Sequence, residues 1–217
     1  MRRRVRAIAA LPCAWLLAAG GVHAQTLEEK ILERINAIRA DPAAYAAQLR
    51  VYRSYFDGAI VYMPDDYNGI LTKEGVAVVD ETIAFLERQA ALPPLSPAQL
   101  LVLTATDYSR EQGAIGARGH VGADGNGPGD RVKRRGGGIY VGEAIAYGTN
   151  DADEVVRQMV VDDGVPDRGH RKLLFDKNFR FAGIGCATHT RLDYICVVDL
   201  SATPDGRPVR LRYALQR

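Results

Sequence analysis

The sequence predicts an α+β domain in which helices occupy the first half of the chain and antiparallel strands occupy the last third. Apolar residues recur near helical spacing through residues 27–49, and residues 74–90 are predicted as a second helix. Residues 181–187 and 194–200 are apolar, β-prone segments separated by a short polar turn. Helices that precede antiparallel strands favour a layered α+β domain over a parallel α/β sheet.

Three helices are expected in the first half. Asp41-Pro42 should kink the first one or divide it in two, because proline cannot continue the hydrogen-bond ladder. Residues 51–72 are rich in tyrosine, aspartate and glycine without a clear period, and we predict a long surface insertion there. The third helix is expected to begin at Ser96-Pro97, with serine as N-cap and proline at the first helical position, and to end near Gly113.

The second half mixes loops, strands and a further helix. Residues 116–138 are loop-rich. The elements predicted after them are a strand at 139–147, a helix at 152–161, a break at 162–166, the two hairpin strands, and a last strand at 209–215. A direct pairing of Cys186 with Cys196 would centre the hairpin turn near Arg191, and His189 beside that turn is expected to be exposed.

The first 24 residues have the pattern of a secretory signal peptide. A cluster of arginines precedes an apolar run at residues 7–19, and Val22-His23-Ala24 fits the small-x-small cleavage rule. The apolar run is shorter than the roughly 20 residues that a membrane-spanning helix needs. We therefore expect export, to the periplasm or the extracellular space, and a single domain over residues 25–217 with no membrane-spanning segment after cleavage.

Removal of the leader changes the charge and cysteine counts. Four of the 28 basic residues lie in the leader, so the exported chain would have 24 basic and 26 acidic residues. This balance removes any compositional case for nucleic-acid binding. Two cysteines remain, Cys186 and Cys196, and a close pair in an oxidising compartment favours a disulfide.

Two Gly-His pairs are the most informative motifs of the chain. They are Gly119-His120 and Gly169-His170, with Gly142-Glu143 between them. Imidazole and carboxylate groups bind divalent metals and transfer protons near neutral pH. The sequence lacks a Gly-x-Ser-x-Gly elbow, a His-Glu-x-x-His helix and a Walker loop. A site built from these residues would therefore depend on the tertiary fold to bring them together.

These motifs occur in the order used by the CAP superfamily, which includes sperm-coating, pathogenesis-related and venom-allergen proteins. Further matching segments are Asn36-Ala37-Ile38-Arg39, Asp130-Arg131, Gly142-Glu143-Ala144-Ile145-Ala146-Tyr147-Gly148, Gly169-His170-Arg171-Lys172-Leu173-Leu174 and Phe179-Arg180-Phe181-Ala182-Gly183-Ile184-Gly185. The chain resembles the bacterial secreted members. That resemblance implies a three-layer α-β-α sandwich with a small central antiparallel sheet.

The resemblance also implies a cleft lined by two histidines and two acidic residues. His120, Glu143 and His170 match three of these positions. For the second acid Asp163 is the first choice, Asp162 nearly as good and Asp167 third. Ala144 stands where relatives have asparagine, and residues 51–72 lie outside the common core.

Two classes of function follow. In the first, the cleft of a secreted binding module holds zinc or another divalent metal between His120 and His170, or takes a small or lipidic ligand. The alternative is a metal-dependent, peptidase-like hydrolase with Glu143 as general base. A catalytic zinc usually has three protein ligands, and the two histidines supply two. Binding is the favoured expectation, and neither the presence of catalysis nor the oligomeric state is predicted.

Overall fold

The computed structural model describes residues 24–64 and 66–209, so the leader through residue 23 and the strand predicted beyond Val209 lie outside it. The helices are α1 (Leu27–Ala40), α2 (Pro42–Arg53), α3 (Val76–Arg88), α4 (Gln99–Ile115), α5 (Pro128–Arg134), α6 (Ala152–Val161) and α7 (Gly169–Leu174). The strands are β1 (Phe56–Asp57), β2 (Ile60–Val61), β3 (Ile70–Leu71), β4 (Ser96–Pro97), β5 (Gly142–Tyr147), β6 (Phe181–His189) and β7 (Asp193–Ser201). Among these described residues, no helix combines the length and apolarity needed to cross a membrane.

A four-stranded sheet in the order β4-β6-β7-β5 forms the middle layer of the domain. Strands β6 and β7 form an antiparallel hairpin, β5 runs antiparallel to β7, and β4 pairs with β6 in parallel. Helix α4 packs on one face of this sheet, while α1, α6 and α7 pack on the other. The predicted α+β class and three-layer arrangement are confirmed.

Alternation along β7 divides the core between the two faces of the sheet. Cys196, Val198 and Leu200 face the larger cluster, which contains apolar residues of α1, α3 and α6. Ile195 and Val197 face α4, as expected when successive side chains point to opposite faces. Both sets are fully buried, so each helical layer is fixed to the sheet by its own apolar cluster.

Two glycines of β6 let α4 approach the sheet closely. A Cβ atom at Gly183 would lie 2.0 Å from the carbonyl carbon of Leu101, and one at Gly185 would lie 2.3 Å from the backbone nitrogen of Thr106. Both neighbours are backbone atoms of α4 that cannot move independently of the helix. The Gly-x-Gly of β6 therefore sets the distance between the sheet and α4.

The predicted first helix is divided at Asp41-Pro42. Helix α1 ends at Ala40, and α2 begins at Pro42, with proline in the first turn. The Asp41 side chain accepts a hydrogen bond from the Ala44 N–H, so the residue that ends α1 also caps α2. Of the two outcomes predicted at Asp41-Pro42, a kink or a division, the structure thus has the division, with Asp41 as a capping residue shared by both helices.

The local signal at Ser96-Pro97 was misleading. These residues form β4, and helix α4 begins only at Gln99, with no side-chain cap at Ala98. The Ser96 N–H donates to the Arg180 carbonyl and the Ala98 N–H donates to the Ala182 carbonyl. Pairing with β6 thus takes the place of the helix start that the Ser-Pro pair predicts.

The segment predicted as a surface insertion contains ordered structure. Helix α2 continues to Arg53, and the short strands β1, β2 and β3 then form an antiparallel meander. We call residues 55–73 the insertion arm. Helices α5 and α7 are further elements that the sequence pattern did not reveal, because each has only one or two turns.

The β6–β7 hairpin confirms the expected cross-strand disulfide. Cys186 lies directly opposite Cys196 and the two are bonded. His189 is buried rather than exposed as expected. Its Nε2 donates to the Ala117 carbonyl, and its Nδ1 accepts from the Arg191 and Leu192 N–H groups. This residue therefore fastens the hairpin turn to the segment that leads into Gly119-His120.

Substitution of Gly183 by alanine should strongly destabilise the domain. The added methyl group would overlap the backbone of α4, and overpacking of this kind costs about 1–3 kcal/mol, with this site near the upper end. Gly169→Ala is the matched control, since its Cβ would meet nothing closer than 3.5 Å. Urea unfolding should show a large loss for Gly183→Ala and none for Gly169→Ala; equal effects would contradict the close-approach explanation.

Candidate functional site

Hydrogen bonds from side chains to the backbone of Gly119-His120 hold this pair in place after the end of α4. The Tyr108 hydroxyl donates to the Gly119 carbonyl at 2.7 Å, and the Gly119 N–H donates to the Tyr147 hydroxyl at 3.0 Å. Arg131 donates from Nη1 to the His120 carbonyl at 3.0 Å. Gly119 has φ +99°, a conformation that favours glycine. The glycine thus allows the chain to turn His120 toward the cleft.

Glu143 on β5 connects His120 to a buried arginine. Its Oε1 lies 2.9 Å from His120 Nδ1, and its Oε2 accepts from Arg131 Nη2. The Glu143 side chain is 1% exposed, whereas that of His120 is 48% exposed. Arg131 stacks over the Tyr108 ring at 3.5 Å from its centroid. Burial, and then the negative charge of Glu143, raise the pKa of Tyr108, so its hydroxyl stays protonated as the hydrogen-bond donor.

His170 on α7 has a corresponding carboxylate partner. Its Nδ1 lies 2.7 Å from Asp162 Oδ1, while Asp162 Oδ2 accepts from the Arg171 N–H at 3.1 Å. Asp162 ends α6 in the left-handed conformation, at φ 61°, which aspartate tolerates better than most residues. Its side chain is fully buried. The turn that ends α6 thus directs this carboxylate to His170.

Asp162, rather than the first-choice Asp163, is the acid that contacts His170. The Asp163 carboxylate accepts from the Lys73 and Glu74 N–H groups at 2.7 and 2.8 Å, so it joins the end of the insertion arm to α6. Asp167, the third choice, is exposed. Neighbouring side chains at the end of a helix point in different directions, and helical spacing alone could not decide between Asp162 and Asp163.

Two arginines hold α7 and its histidine against α3. Arg171 is buried and donates to Glu81, to the Thr82 hydroxyl and to carbonyls at the end of α6. Arg168 donates to both Glu74 and Glu81. Its guanidinium is the main cause that lowers the pKa of Glu74 to about 2. The carboxylate partner of Arg171 is thus Glu81 of α3.

The two histidine side chains face each other across the cleft, with ring centroids 6.3 Å apart. A carboxylate can only accept a hydrogen bond, so Nδ1 of each imidazole must carry the proton that Glu143 or Asp162 accepts. The neutral form of each ring then has its free lone pair on Nε2. Both imidazoles therefore have one nitrogen available for a ligand.

A groove of about 770 Å³ extends from His170 to the insertion arm. Apolar side chains of the arm line one wall, and Tyr147 and Val161 lie on the other. Arg118, over the Tyr147 ring at 5.1 Å, adds a positive charge. The volume falls within the range of small-molecule pockets. The arm-derived lining residues include Val61, Met63, Ile70 and Leu71.

The position of Glu143 argues against its use as a general base. Its Oε1 is engaged by His120 and its Oε2 by Arg131. A general base must reach the proton it removes, directly or through one water. A buried carboxylate with both oxygens occupied meets that requirement poorly. The geometry instead assigns Glu143 to orienting His120.

Replacement of Arg131 by methionine should destabilise the protein by about 3–5 kcal/mol, because it leaves the buried Glu143 carboxylate without its cation. Arg135→Met is the matched control: its ion pair with Asp107 is exposed and should contribute about 1 kcal/mol or less. Chemical denaturation of both variants checks the difference. Similar small losses for the two would mean that the buried pair does not hold the site together.

The chain is similar to one family of known proteins and to solved structures of bacterial proteins. The family model described as "Cysteine-rich secretory protein family", CAP, matches residues 32–200. An extracellular SCP-domain protein of Bacillus anthracis is 22% identical, with a TM-score of 0.44, over 58% of this chain and 39% of that one. An outer surface protein of Borrelia burgdorferi is 19% identical, with a TM-score of 0.43, over 66% of this chain and 97% of that one.

The chain thus spans less than half the length of the Bacillus anthracis protein. No curated protein matches it at a significant level. The family match covers most of the sequence and includes both histidines, Glu143 and Asp162. The chain belongs to the CAP family of cysteine-rich secretory proteins.

Proposed function

We propose that this chain is an exported binding protein that holds a divalent metal ion between His120 and His170 and takes a ligand in the adjoining groove. The leader pattern supports export. The Cys186–Cys196 disulfide agrees with it, since such bonds persist in oxidising compartments. Metal and ligand binding rest on separate observations, and each has its own test.

The observation that carries the metal proposal is the pairing of each imidazole with a buried carboxylate. Histidines that ligate metals usually donate their other ring N–H to a carboxylate or carbonyl, which fixes the tautomer and raises ligand basicity. His120 with Glu143 and His170 with Asp162 have this arrangement. The two rings also face each other at 6.3 Å. Nε2 of both histidines would hold the ion.

The donor set suits a two-histidine site rather than a closed structural one. Within residues 24–64 and 66–209, no group of three or more His, Cys, Asp or Glu side chains is placed to hold a metal. The remaining coordination positions would fall to water or to a bound ligand. Two nitrogen ligands are typical of zinc, copper and nickel more than of calcium or magnesium. When bound, such an ion would polarise an oxygen atom of the ligand.

Zinc affinity should depend on His120, His170 and Asp162 but not on Asp163. Asp162→Asn should weaken zinc binding about 10–100-fold, because it removes the anionic partner of His170. Asp163→Asn should leave the affinity unchanged, since this carboxylate contacts the backbone of Lys73 and Glu74. Calorimetric titration of the metal-free protein measures both.

The double variant His120→Ala with His170→Ala decides whether the cleft is the metal site. We expect it to lose measurable zinc binding while keeping a native circular dichroism spectrum. Unchanged zinc affinity in this folded variant would place the ion elsewhere and end the proposal.

The groove beside His170 supports the ligand half of the proposal. Ile70 and Leu71 of the insertion arm line it although they are 54% and 76% exposed. Exposed apolar clusters of this kind mark binding surfaces more often than isolated residues do. Lys73 and Arg118 also line the groove and supply positive charge. The combination suits a small or lipidic ligand with an apolar body and an anionic end.

A charge placed in the apolar wall should weaken ligand binding without affecting zinc. Leu71→Glu should reduce the affinity for anilinonaphthalene sulfonate, an amphipathic anion, by about tenfold or more, since a leucine side chain that the bound dye covers contributes about 1.5–3 kcal/mol. Leu103→Glu is the matched control, an exposed leucine on α4 away from the groove. Fluorescence titration distinguishes them. If both variants bind the dye equally, the groove is not its site.

A further inference from the structure

A second carboxyl group lies behind Glu143, in the interior of the domain. Asp199 on β7 is directly opposite Glu143 on β5 and directly opposite Gly183 on β6. It is fully buried. Its position on the face of the sheet toward α4 brings it to Thr104, whose hydroxyl donates to Asp199 Oδ2 at 2.9 Å. This residue has no part in the contacts between the histidines and their carboxylates.

The hydrogen bonds of Asp199 are incomplete unless it carries a proton. Oδ1 is buried and has no donor among the described residues. The Asp199 and Glu143 side chains nevertheless lie side by side on one face of the sheet, because the two residues are directly opposite each other on neighbouring antiparallel strands. Two ionised carboxylates cannot hydrogen bond, because both only accept. One proton placed between them would satisfy the free oxygen and join the two side chains.

The surrounding charges decide which carboxyl carries that proton. The groups packed against the pair are Thr104 and Tyr108 of α4, Arg131 of α5 and the uncharged Gly183 of β6. Within residues 24–64 and 66–209, Arg131 is the arginine or lysine that faces the two buried acids, and it contacts Glu143 directly. Glu143 also accepts from His120. The ionised form is therefore best placed on Glu143 and the proton on Asp199.

We propose that Asp199 is a positioning residue that keeps its proton at neutral pH and donates it to Glu143, so that Glu143 is held in the orientation that serves His120. The group is a carboxylic acid in a water-excluded site with a neutral hydroxyl as its other partner. Burial, followed by the negative charge of Glu143, raises the pKa of Asp199 well above its ordinary value, which agrees with this assignment.

The raised pKa of Asp199 makes the stability of the folded protein depend on pH. The folded protein retains a proton that the unfolded chain releases above about pH 3.9. The contribution of Asp199 to stability should therefore be greatest at low pH and decline as pH rises, by up to tenfold in the unfolding equilibrium constant per pH unit, until Asp199 ionises in the folded state. This contribution is separate from the proposed zinc site, and its measurement uses metal-free protein.

The test compares wild type with Asp199→Asn, whose side-chain NH₂ can donate to Glu143 while its oxygen accepts from Thr104. Above about pH 4 the unfolding constant of Asp199→Asn should lack the part of the pH dependence that comes from the one proton that Asp199 retains in folded wild type. The matched control is Asp193→Asn, an exposed aspartate on the same strand whose left-handed backbone also suits asparagine. It should keep the wild-type pH profile.

Infrared spectroscopy provides a second measurement that requires no unfolding. Wild type at pH 7 should show the C=O stretch of a protonated carboxyl, and this band should be absent from Asp199→Asn and present in Asp193→Asn. A wild-type spectrum without such a band at pH 7 would overturn the proposal, as would identical pH profiles for wild type and Asp199→Asn.

The effect of Asp199 on the position of His120 can be measured separately, by NMR. Asp199→Leu cannot donate to Glu143, so the proton NMR signals of the His120 ring should shift in this variant and stay at wild-type positions in Asp199→Asn. Rescue by asparagine distinguishes donation from simple filling of space. His120 signals that are unchanged in a folded Asp199→Leu would show that Asp199 does not position the Glu143–His120 pair; if Asp199→Leu does not fold, the asparagine and infrared results still decide the protonation state.

Discussion

The cleft depends on the buried ion pair between Arg131 and Glu143. Two charges leave water when this pair forms, and desolvation offsets much of their attraction. The burial of Arg131 and Glu143 is therefore better explained by the residues that they position than by a net gain in folding stability. Arg131 stacks on Tyr108, donates to the His120 carbonyl and contacts Glu143. Through these contacts one guanidinium links α4, α5, β5 and the His120 segment.

The two histidines are supported by different means. His120 and its neighbour Gly119 are held by side chains of α4, α5 and β5, and His120 is the more exposed of the two histidines. His170 depends on the turn that ends α6 and on Arg171, which ties α7 to α3. Both nevertheless present Nδ1 to a buried carboxylate. The result is one cleft with two equivalent imidazole orientations and unequal solvent access.

Much of the fold could be predicted from the sequence because its signals are local or symmetric. The equal spacing of Cys186 and Cys196 about the turn gave the correct hairpin register, and proline at residue 42 correctly marked a division between helices. The helix start predicted at Ser96-Pro97 was wrong because strand pairing with β6 outweighed the local helix-start signal. The exposure predicted for His189 was wrong because its burial depends on the distant Ala117 carbonyl.

The residues of the candidate site could likewise be predicted from the sequence only in part. His120, Glu143 and His170 lie in motifs with glycine neighbours, and the structure brings them together as the resemblance implies. The choice between Asp162 and Asp163 depends on a left-handed residue at a helix end, which no periodicity encodes. Arg131 stood in a recognisable Asp-Arg motif, but its role became clear only from its buried contacts. Asp199 had no sequence signal, since an aspartate in an apolar strand does not reveal which carboxyl it faces.

The insertion arm and the segment between α6 and α7 are physically joined. Asp163 accepts from the backbone at the end of the insertion arm, and Glu74 accepts from the Gly164 N–H and from Arg168. Residues 163–168, which lead from α6 to α7, thus serve as the docking segment for the arm. The arm and this linker form a single module: transfer of the groove to another CAP domain would require both segments, and loss of either would leave charged partners of the other unmatched.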